Sequence, residues 1–133
     1  MREIKFRGKS VADGEWIYGS YLKTRHYATG KDLHKIIGCD YSNEGRCKED
    51  VLSETIGQFT GLKDKNGTDI YEGDIVFIVY GILDSKEYYG VKFDNGSFVF
   101  YNKEQYVNLK IENCKDVEVI GNIFDNKELL KTE

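Results

Sequence analysis

Apolar and polar residues alternate through much of the chain, in short segments separated by turn signals. Near the start, Ile4 and Phe6 alternate with Lys5 and Arg7, which predicts a half-buried strand. An Asp-Gly turn signal at 13–14 and a second apolar segment at 16–22 complete a predicted N-terminal hairpin. The pattern therefore indicates β structure from the first residues onward.

The middle of the chain holds its most apolar strand. Residues 75–80 read Ile-Val-Phe-Ile-Val-Tyr without alternation, which predicts a central strand covered on both faces. Further on, an Asn-Gly pair at 95–96 predicts a two-residue hairpin loop that places Phe93 opposite Phe98. Aromatic cross-strand pairs of this kind fix the register together with the turn.

A second Asn-Gly pair, at 66–67, predicts a turn of a different kind. A two-residue loop there would place Asp64 opposite Asp69. Because facing like charges are unfavourable, we expect a wider loop.

Two segments depart from the strand pattern. Residues 24–55 are the least regular part of the chain and predict an excursion from the core, with a short helical turn near 50–54. Short strands are expected inside this excursion, because a structureless loop of that length is unusual in a small domain. Asn126 is a good N-cap for a short helical turn over 127–131. The whole pattern predicts a mainly β fold, a small barrel formed by one domain over residues 1–133.

The amino-acid composition indicates the cellular compartment in which the protein is expected. The chain has 133 residues, which fits one domain, and it has no proline, so glycine, asparagine and aspartate must form the turns. Three cysteines at irregular spacing do not suggest a disulfide framework. No signal-peptide segment or transmembrane run is present in the sequence. We therefore expect a cytoplasmic protein in a reducing compartment, with no membrane partner.

Charge is unevenly distributed along the chain, whose net charge is −4. Residues 1–37 hold eight Lys or Arg against four Asp or Glu, a net of +4, and the remainder is net −8. Exposed rings beside cations are how β proteins stack single-stranded nucleic acid. The alternative is a solvated surface with chance clustering. The candidate nucleic-acid contacts are Lys5, Arg7, Lys23, Arg25, Tyr18 and Tyr21.

Cysteine and histidine residues do not form a recognisable site in the sequence. His26, His34, Cys39 and Cys47 lack the close ligand pairs that structural zinc sites prefer. Cys114 has no histidine base nearby, and the sequence holds no nucleophile elbow, phosphate loop or zincin motif. We expect no metal, no cofactor and no enzymatic activity.

Acidic residues are dense between 64 and 74, and two interpretations compete for them. Asp64, Asp69, Glu72 and Asp74 are the kind of carboxylates that hold Mg²⁺ or Ca²⁺ or run acid–base chemistry. Their local interpretation is structural: Asp64 sets a turn, while Glu72 and Asp74 accept backbone hydrogen bonds around Gly73. The structural interpretation is favoured, because the calcium-loop order of ligands is missing.

Three blocks of sequence together resemble the YopX family of phage- and prophage-encoded proteins. The first is residues 1–7. The second and most specific runs from 59–67 into 70–76, and the third covers 118–124 with 128–130. The motif residues of the second block, which we interpret as structural, are Asn66, Gly67, Tyr71, Glu72, Gly73 and Asp74.

The resemblance implies a phage or prophage origin, a bacterial cytoplasm and an SH3-like half-barrel around the block at 72–74. It implies no reaction, and small barrels host many functions. We therefore expect a non-enzymatic accessory protein that binds a phage or host macromolecule or assembles with itself as a homo-oligomer. A nucleic-acid-binding module using the surface of residues 1–37 is the alternative, and a metal-dependent enzyme around Asp64 and Asp74 is the third.

Overall fold

The computed structural model describes residues 3–38, 47–80, 85–102, 106–108 and 116–131. The chain divides into two compact units, Met1–Phe59 and Thr60–Glu133. In chain order the strands are β1 (Phe6–Lys9), β2 (Trp16–Arg25), β3 (Asp32–Ile37), β4 (Lys48–Asp50), β5 (Gly57–Lys63), β6 (Asp69–Tyr71), β7 (Asp74–Tyr80), β8 (Ser85–Asp94), β9 (Ser97–Tyr101), β10 (Tyr106–Asn108) and β11 (Val117–Asn122). A single turn of 3-10 helix covers Ser53–Thr55, and a four-residue helix, α1, covers Glu128–Lys131.

The first unit is built on an antiparallel sheet in which β4, β3, β2 and β1 are neighbours in that order and the start of β5 pairs with β1. The predicted N-terminal hairpin is confirmed, since β1 pairs with β2 and Gly8 lies opposite Ile17. Gly14 has a φ of 75° in the connecting turn, where glycine tolerates the left-handed backbone. A small apolar cluster covers one face of this sheet and comprises Ile17, Ile36 and Val51 with Phe6, Tyr21 and Ile56 packed against them.

The second unit contains a five-stranded antiparallel sheet with the order β10-β9-β8-β7-β11. Strand β7 is an interior strand, as its apolar run predicts, and Ile75 and Val76 are fully buried. The hairpin at 95–96 has the predicted register, with Phe93 opposite Phe98. The core of this unit comprises Ile70, Val76, Ile78, Tyr89, Val91, Phe100 and Val117.

The fold is mainly β, as predicted, but the small barrel is not confirmed. The described strands form two antiparallel sheets and no closed barrel. The SH3-like character of the part around 72–74 stays a prediction, as does the single domain over 1–133. The wider loop between Asp64 and Asp69 is confirmed, because β5 ends at Lys63 and β6 begins at Asp69.

Within residues 24–55, the described parts, 24–38 and 47–55, are more regular than the sequence pattern indicates. Strand β2 continues to Arg25, and both β3 and β4 lie inside the segment, so the short strands expected there are confirmed. The predicted helical turn is a 3-10 turn at Ser53–Thr55. The irregular interpretation failed because this stretch carries little apolar alternation.

Cys47 is disulfide-bonded, a pairing that the odd cysteine count did not predict. The two other cysteines, Cys39 and Cys114, lie outside the described residues. The compartment expected from the sequence stays a prediction. None of the helices in the described ranges has the length and hydrophobicity of a membrane-spanning segment.

Candidate functional site

The most distinctive surface of the first unit is a two-stranded ribbon, residues 23–34. Strands β2 and β3 pair from Ser20 with Ile37 to Arg25 with Asp32. Strand β4 joins β3 only from Lys35 onward. Beyond that point β2 and β3 continue as an antiparallel pair, and none of the other described strands lies beside them.

Both faces of the outer ribbon are open to solvent on β2. Lys23, Thr24 and Arg25 are all exposed, although successive residues of a strand point to opposite faces. The residues on both faces of a strand are exposed together only where neither face is packed against a core. The end of the ribbon therefore stands clear of the apolar cluster of its own unit.

The ribbon is basic in a chain that is acidic overall. Residues 23–34 contain three cations (Lys23, Arg25 and Lys31) and one acid (Asp32), which gives a net of +2 with histidine neutral. The Asp32 carboxylate lies 3.7 Å from both Lys23 Nζ and Arg25 Nε. One carboxylate shared by two exposed cations leaves positive charge unbalanced, and exposed ion pairs of this kind are weak.

The tip of the ribbon presents an aromatic ring on an ordered turn. Tyr27 is 97% exposed, and its ring stacks on the His26 ring with centroids 5.4 Å apart. His26 Nδ1 accepts the backbone N–H groups of Ala28 and Thr29 at 3.3 Å, and the His26 N–H donates to the Lys31 carbonyl at 2.8 Å. These bonds hold the turn while leaving the tyrosine ring in solvent.

The base of the ribbon is anchored to the core of the unit. The Tyr21 hydroxyl forms a 2.6 Å hydrogen bond with His34 Nδ1, and the Tyr21 ring packs against Phe6. Gly19 has a φ of 153°, and a Cβ built on it would lie 2.9 Å from the Ile37 carbonyl carbon. Only glycine therefore lets β2 approach the end of β3 this closely.

The six nucleic-acid contacts predicted from the sequence do not lie on one surface. Arg7 lies opposite Tyr18 in the register of β1 and β2. Tyr21, Lys23 and Arg25 are an odd number of residues from Tyr18 along β2, so they project from the other face of the strand.

The predicted cations also differ in how far they are exposed to solvent. Arg7 is only 7% exposed, and its guanidinium lies 4.6 Å from the centre of the Trp16 ring. Lys5 lies over the Phe59 ring at 4.8 Å and forms a 3.0 Å ion pair with Glu3. Of the predicted cations, Lys23 and Arg25 are thus the two that the ribbon presents to solvent.

Sequence reasoning missed two residues of the ribbon, Lys31 and Tyr27, as candidate contacts. A signal was available, because the stretch Ala-Thr-Gly-Lys at 28–31 contains a turn glycine between two extended segments. Gly30 has a φ of 70°, as a hairpin turn of this kind requires. Recognising that hairpin would have placed Tyr27 at its tip.

The acidic block of the second unit is structural where its contacts are described. Asp64 is buried, and its Oδ1 accepts the N–H groups of Asn66 and Thr68 at 2.8 and 2.9 Å. Asp74 is 1% exposed and accepts the Tyr71 N–H at 2.7 Å. The predicted roles of Asp64 as a turn setter and of Asp74 as a backbone acceptor are therefore confirmed.

The same Asp64 turn also covers a sheet edge. Asp64 Oδ2 accepts the N–H of Val119 at 2.9 Å, and the N–H of Lys65 donates to the carbonyl of Val117 at 3.0 Å. These bonds satisfy backbone groups on the side of β11 that faces away from β7. An edge covered in this way is a poor site for pairing with another strand.

The edge strand of the first unit is protected differently. All three residues of β4, Lys48–Asp50, are charged, which discourages edge-to-edge pairing. Self-assembly through either of these two edges is disfavoured on these grounds. Homo-oligomerisation by another surface stays a prediction.

Metal-binding geometry is absent from the part of the chain that the structure describes. No group of three or more His, Cys, Asp or Glu residues in these ranges is arranged to hold a metal ion. His34 is engaged with Tyr21, and His26 is engaged with its own turn. The sequence analysis considered these two histidines together with Cys39 and Cys47 as possible zinc ligands. Of the four, Cys39 lies outside the described residues.

Comparisons with known proteins identify the family but no activity. A family model described as YopX protein matches residues 5–131. The crystal structure of protein EF1440 from Enterococcus faecalis is similar, with a TM-score of 0.60 and 23% identity over 98% of this chain and 99% of that chain. At this identity the likeness shows the fold alone. No protein of curated function matches the chain. The family expected from the three sequence blocks is confirmed, and the chain belongs to the YopX protein family.

Proposed function

We propose that the chain is a non-enzymatic binding module that takes up nucleic acid through the ribbon. The observation that carries the proposal is the exposed, net-positive ribbon with Tyr27 at its tip. The phage or prophage origin and the bacterial cytoplasm implied by the family resemblance belong to the same proposal.

The dimensions of the ribbon suit a nucleic-acid groove. Paired strands lie about 4.8 Å apart, and the major groove of B-DNA, about 12 Å wide, admits a two-stranded ribbon. Lys23, Arg25 and Lys31 are at or next to the tip, where they would reach phosphates on either side of the groove. Phosphate contacts position a protein without reading sequence, so weak, sequence-tolerant binding is expected.

With an overall charge of −4, binding of a duplex through its phosphates is expected at the basic ribbon. Acidic surface elsewhere repels the phosphate backbone, whereas residues 23–34 attract it. Asp32 sits between Lys23 and Arg25, and a phosphate arriving at the ribbon replaces a weak exposed ion pair by a charge-assisted one.

The first test removes two ribbon cations. Lys23→Gln with Arg25→Gln is expected to weaken binding of a labelled duplex by about tenfold or more and to reduce the slope of log affinity against log salt by about 2. Fluorescence anisotropy at several salt concentrations measures both quantities. Because both residues are exposed and lie outside the core, the melting temperature should change little.

A matched double variant controls for net charge. Lys63→Gln with Lys127→Gln removes the same charge from two exposed residues outside the ribbon. Its duplex affinity should stay close to that of the wild type. Equal losses of duplex affinity in the two double variants would refute the ribbon as the binding element. Binding would then depend on the net charge of the protein and not on the position of the cations.

Substitution of Tyr27 tests nucleic-acid binding with little effect on the stability of the fold. With 97% of its surface exposed, Tyr27→Ala should change the free energy of unfolding by no more than about 0.5 kcal/mol. Contact of the ring with the sugars or base edges that line the groove would be lost, so the affinity for the duplex should fall by about five- to tenfold. Urea unfolding and anisotropy measure the two effects, and unchanged affinity would remove Tyr27 from the proposed interface.

The absence of catalysis is also open to experiment. Incubating purified protein with panels of nucleotides, oligonucleotides and metabolites, with and without Mg²⁺, Mn²⁺ and Zn²⁺, should leave every compound unchanged. Turnover of any of them, abolished by a single substitution, would overturn the non-enzymatic proposal.

A further inference from the structure

A row of aromatic rings crosses the five-stranded sheet of the second unit. Phe77 lies opposite Tyr88, with ring centroids 5.3 Å apart. Tyr101 lies opposite Tyr106, with centroids 6.5 Å apart and rings nearly perpendicular. Four adjacent strands, β7 to β10, each contribute one ring, and the registers place all four on the same face.

Gly90 lets the row cross β8. It lies opposite Tyr101 and two residues from Tyr88 on the same face of the strand. A Cβ built on Gly90 would lie 2.5 Å from the Tyr101 ring, so the ring lies directly over the backbone of β8. Any side chain at residue 90 would lift Tyr101 off the sheet and break the row.

Lys92 is fixed at one end of the row. Lys92 Nζ lies 4.8 Å from the centre of the Tyr101 ring and 4.4 Å from that of Tyr106, and it donates a 2.7 Å hydrogen bond to the Tyr106 hydroxyl. That bond raises the pKa of Lys92, and burial raises the pKa of Tyr101. At neutral pH the lysine is therefore charged and the tyrosine is neutral.

We infer that the aromatic row, Phe77, Tyr88, Tyr101 and Tyr106 with Lys92, binds single-stranded nucleic acid by stacking its bases. Tyr106 is 58% exposed, so its ring is available to a partner as well as to Lys92. Every base has a π-face, and stacking on sheet-borne aromatic rings binds single strands without sequence preference. The partner is nucleic acid, as in the proposed function. The contact differs, because it lies in the second unit and uses base stacking.

Charge around the row favours a single strand over a duplex. Lys92 has Asp94 two residues away on the same face, and Glu118 lies opposite Phe77. Among the described side chains, these two acids offset Lys92, so stacking rather than phosphate contact is expected to carry the binding. Stacking needs unpaired bases, which a duplex does not offer, and Lys92 remains for one phosphate of the strand.

The test uses a single-stranded oligonucleotide that contains the fluorescent base 2-aminopurine, whose emission is quenched when it stacks on a ring. Wild-type protein should quench the emission on binding. Tyr106→Leu should lose most of this quenching and weaken single-strand binding by about 5- to 100-fold. Tyr106→Phe keeps the ring and should retain the quenching, and the exposure of Tyr106 means that both variants should fold.

Failure of this inference and failure of the proposed function are distinguishable with the ribbon variant Lys23→Gln with Arg25→Gln. Duplex binding that depends on the ribbon, without quenching of the single strand, would overturn the aromatic row alone. Quenching that persists in the ribbon variant, with no duplex binding by the wild type, would overturn the ribbon alone. Equal quenching by wild type and Tyr106→Leu would also refute the row, and capture of a protein by this face would replace nucleic acid as its partner.

Discussion

Replacing Gly19 with alanine is expected to detach the ribbon from the first unit and to destabilise that unit by about 3 kcal/mol. Gly19 combines a φ of 153° with a backbone approach to Ile37 that leaves no room for a Cβ. The clash is with main-chain atoms of Ile37 and Gly38, so β3 itself must move. Because Ser20 pairs with Ile37 at this point, the ribbon loses its base.

Gly14→Ala is a matched control for Gly19→Ala. Gly14 also has a positive φ, 75°, but nothing lies within 4 Å of a Cβ built there. It should therefore show only the left-handed backbone cost of about 1 kcal/mol. Urea unfolding measures both variants, and equal effects would contradict the close approach at Gly19.

Replacing Asp64 with alanine is the second change with a large expected effect. Its carboxylate accepts three backbone N–H groups, those of Asn66, Thr68 and Val119. Removing an acceptor leaves partly buried donors unsatisfied, at about 1 to 3 kcal/mol each before water re-enters. We expect the second unit to lose about 3 kcal/mol, measured as a lower urea midpoint.

Asp69→Ala is the control for Asp64→Ala. Asp69 forms an exposed ion pair with Lys63 across the same loop, and such pairs contribute about 1 kcal/mol or less. Asp64→Ala should also uncover the edge of β11, so association of the variant at high concentration is expected. A stability of Asp64→Ala equal to that of Asp69→Ala would contradict the structural role of the family's most specific block.

Local rules were sufficient for much of the fold. The Asn95-Gly96 turn and the alternating residues beside it fix one register, and the structure has that register, with Asn95 at a φ of 48° and Gly96 at 84°. Electrostatics alone predicted the wider loop after Asp64, because two facing carboxylates are unfavourable. Turn chemistry and cross-strand pairing depend on neighbours a few residues apart, which a single sequence shows directly.

Long-range arrangement was not predictable from the same rules. Whether short strands close a barrel depends on which edges pair, and the pattern of Val117 and Val119 does not reveal that the Asp64 turn covers β11. The ribbon was missed for a related reason: residues exposed on both faces carry no alternation, so 23–34 looked irregular.

The candidate nucleic-acid surface was only half predictable. Counting charges found the basic N-terminal part, including Lys23 and Arg25, but it could not separate them from Arg7. Arg7 lies over Trp16 and is buried, because a guanidinium packs well on an indole ring. A sequence gives the sign of a charge but not the face of the sheet on which it lies.

The most direct test of the ribbon as a nucleic-acid-binding element is the change in backbone amide chemical shifts when isotope-labelled wild-type protein is titrated with a short DNA duplex at low salt. We predict that the largest shifts fall within residues 23–34, centred on Tyr27 and the flanking cations, and that they diminish as salt is raised. No shifts at low salt, or shifts confined to residues outside the ribbon, would contradict it.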